Sequence, residues 1–191
     1  MSEVKNILLC GVGGQGTILA SKILSHALVE AGYDVKMSEI HGMSQRGGSV
    51  TTQVRYGEKV YSPIIGRGSA DILVAFEAME ALRYLGEINP KGKVVVNDFK
   101  MQTATTITGQ QEYPEDSVER LKALAETKVL NAARLAEDLG SPRAMNIVLL
   151  GALVKMMELQ ELNWEEAIAA CVKPAFVELN KKALEAGMQA V

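Results

Sequence analysis

Cysteine is nearly missing from this chain: Cys10 and Cys171 are the only two. Two isolated thiols cannot by themselves assemble an iron–sulfur site or a four-thiolate zinc site, so both are expected as reduced core residues. Histidine is as scarce. His26 falls on a predicted helix and His41 in a predicted loop, and no carboxylate stands at a ligand-like interval from either, so no metal site is expected. Long apolar runs are absent too. The short stretch at residues 7–10 is interrupted by glycine before it could serve as a secretory core, and nothing approaches membrane-spanning length. The expectation is a cytoplasmic protein with no membrane partner. The net charge of −3 comes without a long basic run or basic residues interleaved with aromatics, which excludes an evident nucleic-acid surface. A serine-centred nucleophile elbow and a phosphate loop ending in Lys-Ser/Thr are also lacking. The chain thus reads as part of a machine rather than the whole of it.

What is present is a globular composition, 48% apolar and 23% charged over 191 residues, with no evident linker or repeat. Residues 1–191 are expected to form one domain with a sheet covered by helices on both faces. Residues 4–10 predict a buried strand and residues 17–31 a helix closed by Gly32; residues 34–38 return as a strand beside the first, a β-α-β opening. Residues 50–56 alternate as a strand with one wetter face, and residues 56–61 read as a hairpin turn and return. Further strands are predicted at 71–76, 93–97 after a turn at 89–92, and 128–130, with helices at 77–85, 117–126 and 132–139. Residues 143–186 read as about three helices, separated near Asn163 and Pro174. Asn163 carries a helix-cap signature, with Glu165 and Glu166 in the favourable first turn. Met156, Met157 and Trp164 are expected in helix packing. The expected fold class is α/β: a three-layer Rossmann-like sheet with an antiparallel excursion and a helical C-terminal segment packed back on the sheet.

The first strand runs directly into Gly11-Val12-Gly13-Gly14-Gln15-Gly16 and then a helical pattern. A Gly-x-Gly-x-x-Gly spacing falls on Gly11, Gly13 and Gly16. It permits a tight turn, close approach of a ligand, and a helix start whose free N–H groups face an anion. Glu39, at the end of the second predicted strand, stands where a dinucleotide fold would place the carboxylate that holds a ribose. Two readings are open: a loop that touches an anionic, nucleotide-like ligand through Gly11, Gly13, Gly14, Gln15 and Gly16, or a turn whose glycines serve packing only.

A second polar, glycine-rich stretch carries His41, Ser44, Gln45, Arg46, Gly47 and Gly48. Arg46 can grip a carboxylate or phosphate through its planar fork, while Gly47 and Gly48 leave backbone N–H groups accessible. His41 could donate to the same group or transfer a proton. The same loop suits an interface hook, because an arginine among small residues can enter a partner's groove, and it also suits plain loop structure. Asp98 follows a strand and could face a pocket, or close an Asx turn. No catalytic residue is assigned.

With both loops in view, the chain resembles the gamma family of 2-oxoacid:ferredoxin oxidoreductases over residues 4–187. The elements that carry the resemblance are the Gly11–Gly16 run, the stretch His41-Gly42-Met43-Ser44-Gln45-Arg46-Gly47-Gly48, and Gly140-Ser141-Pro142-Arg143-Ala144-Met145-Asn146. The second is the most specific. Residues 50–61, followed by Ser62-Pro63, resemble most the small beta subunit of indolepyruvate ferredoxin oxidoreductase. The resemblance implies an α/β domain beside a larger subunit that carries thiamine diphosphate and iron–sulfur clusters. It implies CoA-dependent oxidative decarboxylation of a 2-oxoacid, with electrons passed to ferredoxin. No cofactor is expected on this chain alone, apart from the nucleotide-like candidate at the glycine loop. Gamma subunits serving pyruvate, 2-oxoisovalerate or 2-oxoglutarate share the same motifs. A stand-alone nucleotide-binding regulatory protein is the alternative of another class, and the isolated chain is a candidate homodimer.

Overall fold

The computed structural model of the chain describes residues 4–41, 47–102, 104–110 and 112–191. β1 (Lys5–Val12) leads through a glycine turn into α1 (Thr17–Glu30) and β2 (Asp34–His41). β3 (Ser49–Gly57), β4 (Ala70–Ala75), α2 (Ala78–Tyr84), β5 (Ile88–Asn97), α3 (Ala104–Ile107), α4 (Ser117–Leu124), β6 (Glu126–Leu130) and α5 (Ala132–Asp138) follow. The helical end consists of α6 (Met145–Met156), α7 (Trp164–Cys171) and α8 (Val177–Gln189). The strands form one sheet in the order β2-β3-β1-β4-β5-β6. β1, β4, β5 and β6 run parallel, and β3 is antiparallel to both of its neighbours.

Strand alternation divides the apolar residues into two cores, one per face. Ile7, Leu9, Ile72, Val74 and Val95 face a large core built with α1, α5, α6, α7 and α8. Leu8, Cys10, Leu73, Ala75, Val94 and Val96 face a smaller one, closed by α2 and α4. Burial on both faces is why β1, β4 and β5 read as continuous apolar runs. α6 is apolar almost all round, and its residues 146–154 are buried. It lies against β4, β5 and α1, with α8 across it. The α6–α8 crossing is backbone to backbone: a Cβ at Gly151 would stand 2.0 Å from the Leu184 carbonyl oxygen, and one at Gly187 1.9 Å from that of Val148. Asn163 caps α7, its Oδ1 accepting from the Glu166 N–H at 3.2 Å, and Trp164 is buried behind it.

The architecture is the mixed α/β sheet with an antiparallel excursion and a helical C-terminal region that the sequence pattern predicts. Three local expectations need correction. β2 does not lie beside β1, because β3 pairs with both of them over its length. Residues 56–61 make no hairpin return. Arg55 donates to the carbonyls of Ser62 (2.9 Å) and Ile64 (3.1 Å), Gln53 accepts from the Ile65 N–H (2.6 Å), and Asp34 accepts from the Val60 N–H (2.9 Å). Side chains of β2 and β3 therefore hold this segment as a loop over the wetter face of β3, where a strand would need backbone partners. Residues 89–92 do not form a turn before β5 but lie within it as a bulge, the pairing jumping from Ala70↔Ile88 to Ile72↔Lys93. Gly92 makes that possible, since a Cβ there would stand 2.8 Å from the Ala70 carbonyl.

Candidate functional site

The chain leaves β1 through α1 on one face of the sheet and leaves β4 through α2 on the other. The crevice between the C-terminal ends of β1 and β4 is thus a topological switch point, the place where open α/β sheets bind ligands. The glycine loop occupies it. The Gly13 N–H donates to the Gly48 carbonyl at 2.9 Å, so the two glycine-rich stretches of the sequence meet here.

The loop is tied to the sheet from below. Gln15 is only 8% exposed; its Oε1 accepts from the Val12 N–H at 2.7 Å and its Nε2 donates to the Phe76 carbonyl at 3.0 Å. The Gln15 amide is thereby engaged in holding the loop on the end of β4. The Phe76 carbonyl also accepts from Asn97 Nδ2 at 3.2 Å, and Asn97 Oδ1 takes the Ala132 N–H at the start of α5 at 2.9 Å. Asn146, on α6, donates to the Gly16 carbonyl at 3.1 Å. Buried amides satisfied in this way fix the rim of the crevice. Asn97 and Phe76 were not legible as site residues: one reads as a strand end, the other as core. The signal available was polar Asn97 at the end of a run of buried valines.

The glycines divide by role. A Cβ at Gly11 would meet Gln15 Oε1 at 2.7 Å and Phe76 Cβ at 2.9 Å, so packing requires it. Gly16 is left-handed (φ 83°) and crowded by Asn146, whereas Gly14 (φ 104°) has open space around its Cβ position. Above the loop lies a cleft of about 590 Å³ walled by Gly13, Gly14, Phe99, Met101, Glu137, Arg143 and Met145. The start of α1, with Gly16 at its cap position and no side chain capping it, opens there. Uncapped first-turn N–H groups carry partial positive charge. The lining adds one full positive charge, Arg143, and one carboxylate, Glu137, so it is the start of α1 that suits an anionic group.

The other predicted positions are scattered. Glu39 sits on the edge strand β2 opposite Thr52, with the whole of β3 between it and β1. His41 ends β2, paired with Val50. Ser44, Gln45 and Arg46, with Gly42 and Met43, lie outside the described residues. Gly47 (φ 77°) and Gly48 precede β3. Asp98 is exposed, and its N–H donates to the Leu130 carbonyl at 2.8 Å.

Sequence reasoning missed a pair of acids near the start of β3. Both are 0% exposed; Glu77 is the cap residue ahead of α2 and Glu80 lies in its first turn. Glu80 accepts from the Ser49 hydroxyl at the start of β3 and from Arg83 Nε at 3.0 Å. Glu77 takes the Tyr113 hydroxyl and the N–H groups of Glu80 (2.9 Å) and Met101 (3.2 Å). Burial, then the charges of Glu80 and Glu77, push the Cys10 thiol well above its ordinary pKa, which keeps it a neutral core group. Burial, followed by its bond to Glu77, likewise raises the Tyr113 phenol.

Residues 6–190 match the family described as pyruvate ferredoxin/flavodoxin oxidoreductase. The chain belongs to this family. It is 37% identical to the indolepyruvate oxidoreductase subunit IorB of Pyrococcus horikoshii, over 97% of this chain and 95% of that protein. It is 31% identical to the 2-oxoglutarate synthase subunit KorC of Methanothermobacter marburgensis, over 98% and 96%. The crystal structure of a keto/oxoacid ferredoxin oxidoreductase gamma subunit from Geobacter sulfurreducens superposes with a TM-score of 0.72 at 26% identity, over 97% of each chain. The chain is thus a small subunit of the 2-oxoacid:ferredoxin oxidoreductase type, a family whose context is a multi-subunit complex. Among the described residues of this oxidoreductase subunit, no group of three or more His, Cys, Asp or Glu is placed to hold a metal ion. Cys10 lies inside the sheet and Cys171 at the end of α7, so the two thiols do not fit a cluster site. No helix among the described residues is long and apolar enough to cross a membrane.

Proposed function

We propose that this chain is the small subunit of an indolepyruvate-type ferredoxin oxidoreductase, supporting CoA-dependent oxidative decarboxylation of an aryl 2-oxoacid. Its partner is a large subunit that carries thiamine diphosphate and the iron–sulfur clusters and passes electrons to ferredoxin. The observation that carries this reading is the near full-length likeness to an indolepyruvate oxidoreductase subunit at 37% identity, above the 31% to a 2-oxoglutarate synthase subunit. Thiamine diphosphate supplies the carbanion chemistry when bound in the partner. The part given to this chain is to bind and orient: the start of α1 and Arg143 hold an anionic group of a nucleotide-like ligand, CoA among them, and Gln15 with Asn97 keeps the glycine loop on the sheet.

The test is to assay the chain alone and mixed with its large subunit, supplying CoA and ferredoxin with indolepyruvate, pyruvate or 2-oxoglutarate. Turnover is expected from the mixture only, with the aryl substrate preferred by kcat/KM. Turnover by the chain alone would sink the subunit assignment, and preference for pyruvate or 2-oxoglutarate would select the other gamma-type substrate.

A further inference from the structure

Beside the glycine-loop cleft lies a second depression, of about 550 Å³, between α1, the turn ahead of α6 and the junction of α7 with α8. Its walls are largely apolar: Leu19, Ala144, Val172, Leu179 and Phe176, which is 51% exposed. The charged side chains that line it are Arg143 and Lys173, and no carboxylate lines it. Neither Arg143 nor Lys173 has a side-chain ion pair among the described residues.

We infer that this groove docks the large subunit of the complex, through an apolar segment of that subunit flanked by carboxylates. The inference rests on the subunit reading above. The charge pattern chooses the occupant: two cations around an apolar floor are complemented by acids around an apolar anchor. A second copy of this chain meeting groove to groove across a two-fold would set cations against cations. Position gives the contact a consequence. Arg143 lines both the groove and the glycine-loop cleft, and Asn146, in the groove wall, holds the Gly16 carbonyl at 3.1 Å. A segment seated in the groove therefore forms one side of the ligand cleft.

The experiment measures association of the full chain with its own large subunit by interferometry and sedimentation at several salt concentrations. The variants are Phe176→Ser, the double change Arg143→Glu/Lys173→Glu, and Tyr61→Ser/Ile64→Ser on the loop after β3, where Tyr61 is 90% exposed. All these positions are exposed, and an unchanged melting temperature verifies folding. Each groove variant is expected to weaken binding by about tenfold or more, mainly through faster dissociation. Parental affinity should fall with salt, and that dependence should shrink or reverse in the charge variant. If the parent chain does not bind the large subunit at all, the subunit reading fails and this inference fails with it. If the parent binds and the groove variants bind equally well, the groove assignment alone is wrong. Loss confined to Tyr61→Ser/Ile64→Ser moves the interface to the other surface, and groove variants that only dissolve a homodimer assign the groove to a second copy; either result overturns the proposal.

Discussion

The glycine loop at residues 11–16 and the α6–α8 crossing are both built on glycine, for different reasons. In the loop the need is shared between conformation, as at Gly14 and Gly16, and close packing, as at Gly11. At the crossing there is no unusual φ at all; Gly151 and Gly187 are ordinary helical residues whose missing Cβ lets two backbones touch. The loop is conspicuous in the sequence and the crossing is silent. The difference teaches that a glycine motif advertises itself when it is local, and disappears when its partner is dozens of residues away.

The largest expected effect breaks the comparison on the side of the crossing. Gly187→Ala would drive a methyl into the Val148 carbonyl, and Gly151→Ala into that of Leu184; backbone cannot step aside as a side chain can. Each should cost about 3 kcal/mol or more, read as a lower urea midpoint. In the loop, Gly16→Ala combines a left-handed φ with a contact to the Asn146 amide, which can move, and should cost about 2 kcal/mol. Gly14→Ala meets nothing within 4 Å and should cost about 1 kcal/mol from its positive φ alone. That makes it the sharper probe of the cleft: a drop in CoA affinity at Gly14→Ala, with stability nearly kept, reports ligand approach, and unchanged affinity argues against close approach there.

The smallest effect runs the other way. Glu158 follows α6 with φ 57°, a position glycine usually fills, and the Leu159 N–H reaches back to the Val154 carbonyl at 2.9 Å. Glu158→Gly should raise stability by up to about 1 kcal/mol in the same urea assay. A loss there would mean that the Glu158 side chain contributes more than its strain removes.

Local chemistry alone specified much of this protein. Unbroken apolar runs marked β1, β4 and β5 as doubly covered strands, Gly32 and Asn163 marked helix ends, and the Gly11–Gly16 run marked the crevice, because each signal depends on near neighbours in the chain. Tertiary structure decided what depends on distant ones. β3 entered between β2 and β1, since its alternation tolerates one face covered by a loop and its antiparallel edges can pair on both sides. That insertion carried Glu39 away from β1. Residues 89–92 stayed in β5 because a neighbouring strand was there to receive the bulge. Gln15, Asn97 and Asn146 became the frame of the cleft only when folding brought Phe76, Ala132 and Gly16 within hydrogen-bond reach. A polar side chain announces that it needs a partner, and only the three-dimensional arrangement says which one it finds.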